Sequence, residues 1–175
     1  ISPFPLFARN PRQMMIKPDP LVANGALSFA QRTGFRDFYF FGVDVGAKDA
    51  DYHHSKYSWY NTKGMQLGYP LDTTAPGNFG GIITTGTVFL WSKNALEQAI
   101  RAVSSGRHYY NCSDGARIDG AIPRHPTTVS LPKVRNKKKI VRDLIDKFPY
   151  YTDEDFEAAW VKADLQKTIP EFCKA

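Results

Sequence analysis

Cysteine is scarce in this chain: its 175 residues include two, Cys112 and Cys173, with no metal-ligand spacing between them. That excludes a disulfide scaffold and a thiolate metal centre, and it fits a reducing compartment. Long hydrophobic runs are also missing. No stretch approaches the ~20 apolar residues of a membrane span, and no signal peptide is visible, so the expected location is cytoplasmic. There is no internal repeat. What is present is a packed-globule composition, 42% hydrophobic and 14% aromatic, in a length that suits one domain.

The net charge of +6 is unevenly placed. Lys133, Arg135, Lys137, Lys138, Lys139 and Arg142 fall in one run. A run of that kind reads as a solvated face, so nucleic acid is not an expected partner; a basic rim equally suits an anionic or phosphorylated ligand. Residues 1–20, with five prolines and Ile1 at the start, read as an extended arm of a piece cut from a longer polypeptide.

Asp19-Pro20 supplies an N-cap and a first-position proline for a helix carrying Leu21, Val22, Ala26, Leu27, Phe29 and Ala30, stopped by Gly34. Phe38 to Asp44 is a near-continuous apolar run ending on Gly42-Val43-Asp44, the pattern of a strand buried on both faces. Residues 45–80 form a long connection without period, a length that is uncommon in compact domains and often functional. Ile82-Ile83-Thr84 suits a short strand or the approach to a helix. A helix follows, starting near Thr85–Val88 and ending at Gly106, and His108–Cys112 reads as another strand. The expected fold is α/β, a Rossmann-like layered sheet, mostly parallel, with C-terminal helices. Its parts are the arm (1–20), an α/β catalytic-type domain (21–132) belonging to a larger domain, and a helical extension (133–175). In the extension, Ile140, Val141, Leu144, Ile145 and Phe148 mark one helix. Thr152 and Asp155 cap another, which carries Phe156, Ala159, Trp160 and Ala163.

Ligands of such sheets collect at the carboxyl ends of strands, where Asp44 and Asn111–Gly115 fall. Asp44 has the chemistry to orient a ligand hydroxyl, a metal or a histidine, or simply to cap nearby amides. Asp49 and Asp51 lie in the same loop, but the spacing matches no compact calcium loop. His53-His54-Ser55-Lys56 offers a base that titrates near neutrality and a cation for phosphate, or an ordinary polar loop. Adjacent side chains of an extended segment face opposite ways, which points one histidine inward. Gly77–Gly81 with Thr84-Thr85-Gly86-Thr87 is a glycine-rich approach to a helix N-terminus, suited to an anion or to a flexible turn; it is neither a P-loop nor a dinucleotide fingerprint. In Asn111–Gly120 the glycines permit close backbone approach and Arg117 suits a phosphate or carboxylate. Cys112 reads as a buried structural thiol.

In this order, the segments resemble the motility accessory factor domain, also called the 6-hydroxymethylpterin pyrophosphokinase-like domain. The resemblance rests on Gly42-Val43-Asp44, His53-His54-Ser55, Thr84-Thr85, and Asn111 to Gly120 with Gly115-Ala116-Arg117-Ile118-Asp119-Gly120, over roughly residues 20–123. Gly42-Val43-Asp44 and His54-Ser55-Lys56 are also similar to motifs of bacterial sialyltransferases. The resemblance implies a transferase moving a sialic-acid-like sugar from a CMP-activated donor to a protein or glycan acceptor. His54 (or His53) would be the base, with Asp44 its orienter. Gly42, Ser55, Lys56, Thr84, Thr85, Asn111, Ser113, Gly115, Ala116 and Arg117 would line the donor site, with no resident metal or cofactor. Archaeal relatives imply an alternative, pyrophosphoryl transfer from ATP to a pterin alcohol with magnesium on Asp44, Asp49 and Asp51. A third alternative is a non-catalytic sugar- or anion-binding domain. Asp114-Gly115-Ala116 stands where the family more often has Gly-Gly-Ala, and an aspartate there opposes phosphate binding by that loop.

Overall fold

The computed structural model describes residues 15–48, 59, 70–147, 152–155 and 157–158, and the chain divides into two compact units. The first, Met15–Val129, holds α1 (Val22–Arg32), β1 (Asp37–Phe40), β2 (Thr73–Pro76), β3 (Ile82–Thr85), α2 (Thr87–Ala102), β4 (His108–Asn111), β5 (Ile122–Pro123) and a 3-10 turn at Pro126–Thr128. The fold is α/β. Strands β1, β4 and β5 form a parallel sheet in that order, with Phe38 opposite Tyr109 and Tyr110 opposite Ile122. Strands β2 and β3 make a separate antiparallel hairpin.

Alternation along the parallel strands assigns the faces. Phe38, Phe40, Tyr109 and Asn111 are buried on one side, where the Phe38 and Tyr109 rings stack 4.8 Å apart. Tyr39 and Tyr110 stack on the other at 4.9 Å, and the Arg124 guanidinium lies 4.1 Å above Tyr110. The core joins Leu27, Ile83, Leu96, Ile100 and Ile118, the last fully buried. Removing side chains of this kind from water contributes about 1.5–3 kcal/mol each.

Helix α1 departs from its expected pattern. It starts at Val22, two residues beyond Pro20, and Asn24 Oδ1 accepts the Leu21 N–H at 3.2 Å in place of an Asp19 cap. Its buried stripe is Asn24, Leu27, Ser28 and Gln31, while Val22 and Phe29 face out. The polar side chains find partners on several elements: Asn24 donates to Ser92 O and accepts from Ser92 Oγ, Ser28 Oγ accepts the Ile16 N–H, and Gln31 donates to Ala99 O and Tyr109 Oη, while Gln31 Oε1 is buried without a protein partner. The apolar spacing marked the helix but not the face it buries.

The strand expected over Phe38–Asp44 stops at Phe40, because Gly42 takes a left-handed φ of 68° and turns the chain. Strand β2 went unread inside the long connection: Thr-Thr-Ala-Pro has no apolar alternation, and tertiary pairing with β3 supplies its order. The glycines 77–81 form the turn between β2 and β3, not the lead-in to α2; Gly77 N–H bonds Gly81 O at 3.0 Å. Helix α2 starts at Thr87, within the expected range, with Gly86 in the cap position.

In the second unit, α3 (Lys137–Ile145) forms where the sequence places a helix, yet its Ile140, Val141, Leu144 and Ile145 are exposed. The Thr152–Asp155 cap is made in both directions: Asp155 Oδ2 accepts the Thr152 N–H at 2.9 Å, and Thr152 Oγ1 accepts the Asp155 N–H at 3.2 Å. Phe148, Phe156, Ala159, Trp160 and Ala163 lie outside the described residues or their described side chains.

Candidate functional site at the carboxyl ends of the strands

Parallel strands deliver their C-terminal loops to one end of the sheet. Here the loops after β1 and β4 meet at backbone distance. Ala116 N–H donates to Asp44 O at 2.7 Å, and a Cβ on Gly115 would collide with the carbonyl and Cα of Asp44. Glycine is thus required at position 115 for contact, a reason independent of backbone dihedrals.

Three polar side chains braid the loops. Asn111 Oδ1 accepts the Ser113 N–H at 3.0 Å and its Nδ2 donates to Ala116 O at 3.1 Å. Ser113 Oγ accepts the Val43 N–H at 2.8 Å and donates to Phe40 O at 3.2 Å, linking the β4 loop to the β1 loop. Asn78, from the hairpin turn, donates through Nδ2 to Asn111 O and Ser113 O at 2.9 and 2.8 Å, while its own N–H bonds Gly115 O. All three residues are buried. Thr85, fully buried, donates to Val45 O at 2.9 Å, and Ala47 bridges Thr84 through paired backbone bonds of 2.7 and 2.9 Å. These bonds hold Val45 at φ 42°, a left-handed conformation that β-branched residues seldom take. Further along, buried Glu97 of α2 accepts the Asp119 N–H at 2.9 Å and pairs with Lys93 at 2.5 Å.

Of the residues singled out from the sequence, the structure brings together Gly42, Asp44, Thr84, Thr85, Asn111, Ser113, Gly115 and Ala116. The side chains of Thr85, Asn111 and Ser113 are used inside the protein, so their part here is to shape the loops. Arg117 is exposed, with Nε 3.5 Å from Asp119 Oδ1. Asp49, Asp51, His53, His54, Ser55 and Lys56 lie outside the described residues. Asn78 and Glu97 were not singled out; an asparagine in a glycine turn and a glutamate on an amphipathic helix look like ordinary turn and surface residues. His125 was also passed over; its ring lies 5.8 Å from that of Phe79, just after β5.

The solvent side of this end carries charge. Asp44 is open as a residue, but partial desolvation of its carboxyl, and then the charge of Asp114, raise its pKa above the usual value. Lys48 pairs with Asp114 at 2.6 Å, both exposed. A carboxyl held partly desolvated at a strand end is chemically suited to exchange a proton or hydrogen bond with a hydroxyl. Cys112 is a buried free thiol, and burial pushes its pKa up, away from nucleophilic use. Among the described residues no three His, Cys, Asp or Glu side chains gather as a metal site, and no helix is long and apolar enough to cross a membrane.

No protein-family model and no curated protein matches the chain. Among solved structures, it is similar to the Maf glycosyltransferase of Magnetospirillum magneticum AMB-1, with 27% sequence identity and a TM-score of 0.72 over 95% of this chain. The match spans 24% of that protein's length. This likeness supports the motility accessory factor family and agrees with the Rossmann-like architecture.

Proposed function

We propose that this chain is part of a glycosyltransferase, moving a sialic-acid-like sugar from a CMP-activated donor to a hydroxyl of a protein or glycan acceptor. The observation that carries the reading is the joined pair of strand-end loops, Asp44 against Gly115-Ala116, in a fold shared with a solved glycosyltransferase. In this proposal Arg117, Gly42 and Thr84 contact the donor, and Ser55 and Lys56 take the donor-binding roles that the resemblance implies. His54 removes the acceptor proton, and Asp44 holds either that histidine or a ligand hydroxyl. Asn111, Ser113 and Thr85 keep the loops in register. As the bond between sugar and phosphate breaks, the nucleotide takes the electron pair, and in this reading basic side chains such as Arg117 meet that charge.

A thermal-shift titration with CMP, CMP-sialic acid and ATP, each with and without magnesium, tests the reading. Cytidine nucleotides should stabilise the protein without metal, by about 2.7 kcal/mol at one hundred times their dissociation constant. Stabilisation confined to ATP with magnesium would overturn it in favour of pyrophosphoryl transfer.

A further inference from the structure

Helix α2 sends one carboxylate under the loop that follows β4. Glu97 is buried, and its Oε1 takes both the Lys93 ammonium at 2.5 Å and the Asp119 N–H at 2.9 Å. The Lys93 side chain is itself only 16% exposed. Taking two charges out of water is costly, and apolar side chains of similar volume often stabilise a fold as well. What the ion pair supplies, and apolar residues do not, is a strong acceptor at a fixed point.

The turn above it uses that acceptor. Ala121 N–H donates to Ile118 O at 3.1 Å, closing a four-residue turn with Asp119 and Gly120 at its centre. Gly120 takes a φ of 90°, and a Cβ there would come within 2.7 Å of the Ile100 side chain of α2. The turn's own bond leaves the Asp119 N–H over, and Glu97 answers it. Both central residues are therefore seated on α2.

The residues just before the turn are held as firmly. Ala116 and Ile118 are fully buried, and the Arg117 N–H between them donates to Pro76 O at 2.8 Å. This alternation turns the Arg117 side chain outward, on the same side as that of Asp119. Arg117 Nε lies 3.5 Å from Asp119 Oδ1. A guanidinium held at Nε keeps its two Nη groups for a further anion, as a fork that matches a carboxylate or phosphate.

We infer that Glu97, clamped by Lys93, is a positioning residue for Arg117: it fixes the turn that carries Asp119, and Asp119 sets the direction in which the guanidinium meets a phosphate or carboxylate. The ligand arm of the test rests on the donor reading above, and the ligand-free arm does not.

The ligand-free arm measures nitrogen relaxation at the Arg117 Nε–H. Lys93→Met with Glu97→Leu replaces the ion pair by apolar side chains of similar volume and strips the acceptor from the Asp119 N–H. The Arg117 order parameter should fall to its value in Asp119→Ala, while the amides of Ala116 and Ile118 stay ordered. Lys93→Met with Glu97→Gln returns an acceptor and should restore most of the order. Unchanged Arg117 order with leucine, or equal loss with leucine and glutamine, would overturn the inference. If the leucine pair does not fold, the exposed Asp119→Ala still decides, since Arg117 order unaffected by it overturns the inference alone. The ligand arm measures CMP binding by calorimetry. Arg117→Ala should weaken it about tenfold, the loss of one charge-assisted hydrogen bond. The leucine pair should weaken it too, and add nothing to Arg117→Ala in the combined variant. Additive losses would show that Glu97 acts by packing alone, and would sink the inference. A native chain that does not bind CMP would overturn the donor reading instead, leaving the relaxation arm to decide the role of Glu97.

Discussion

The carboxyl end of β1 and its outer edge are built on opposite terms. At its carboxyl end the chain is tied by buried hydrogen bonds: Ser113 holds Phe40 and Val43, Asn78 spans two carbonyls of the β4 loop, and Gly115 lies on the Asp44 backbone. Along its outer edge the same strand borders a mostly apolar groove lined by alanines and aromatics with Leu27 and Val43, and it has no backbone partner among the described residues. The difference shows where this unit is self-sufficient. Loops that must hold polar groups still are fixed from within, whereas along the outer edge apolar side chains dominate among the described residues.

The contrast breaks most sharply at Gly115. Gly115→Ala places a methyl inside the Asp44 backbone, where no rotamer change relieves it, and should cost at least the upper end of overpacking, about 3 kcal/mol. Denaturant unfolding measures this; a loss no larger than that of an exposed surface substitution would mean the loops are not tightly joined. Asn78→Ala comes next. It strips the donors from Asn111 O and Ser113 O, with an expected loss of about 2 kcal/mol by the same measurement. It also removes the buried Asn78 Oδ1, which has no partner, and that gain keeps the net cost moderate.

Asp44→Asn is the smallest effect and has the opposite sign. Because the folded pKa of Asp44 is raised, first by desolvation and then by Asp114, ionising it opposes folding at neutral pH. Asparagine should therefore be slightly more stable than the native protein near pH 7. The advantage should shrink as the pH falls through the raised pKa, and vanish below the ordinary carboxylate value, where Asp44 is protonated in both states. Thermal melts across that window test it; an advantage that grew in acid would show that Asp44 is held ionised instead.

Several of these features were legible from residue order. The aromatic run before Gly42, the helix after Thr85 and the strand at His108 follow from local periodicity and from glycines that turn the chain. Gly115-Ala116 could be marked as a place of close approach, though not what approached it. Asn78 and Glu97 were beyond reach, since their partners lie at Asn111, Ser113 and Asp119, separations that no local pattern encodes. For α1 the apolar spacing pointed to the wrong face, because α2, Tyr109 and Ile16 supply hydrogen bonds to Asn24, Gln31 and Ser28 that offset most of the cost of burying them.

The sequence by itself determined helices α1 and α2, strands β1 and β4 and the strand ends where chemistry can gather, because φ/ψ preferences and apolar spacing act over a few residues. Tertiary structure alone decided which polar groups close on one another, that Asp44 rests against Gly115, and that β2 pairs with β3. Those outcomes depend on pairing between segments up to some seventy residues apart, where desolvation and hydrogen-bond satisfaction are settled only by contact.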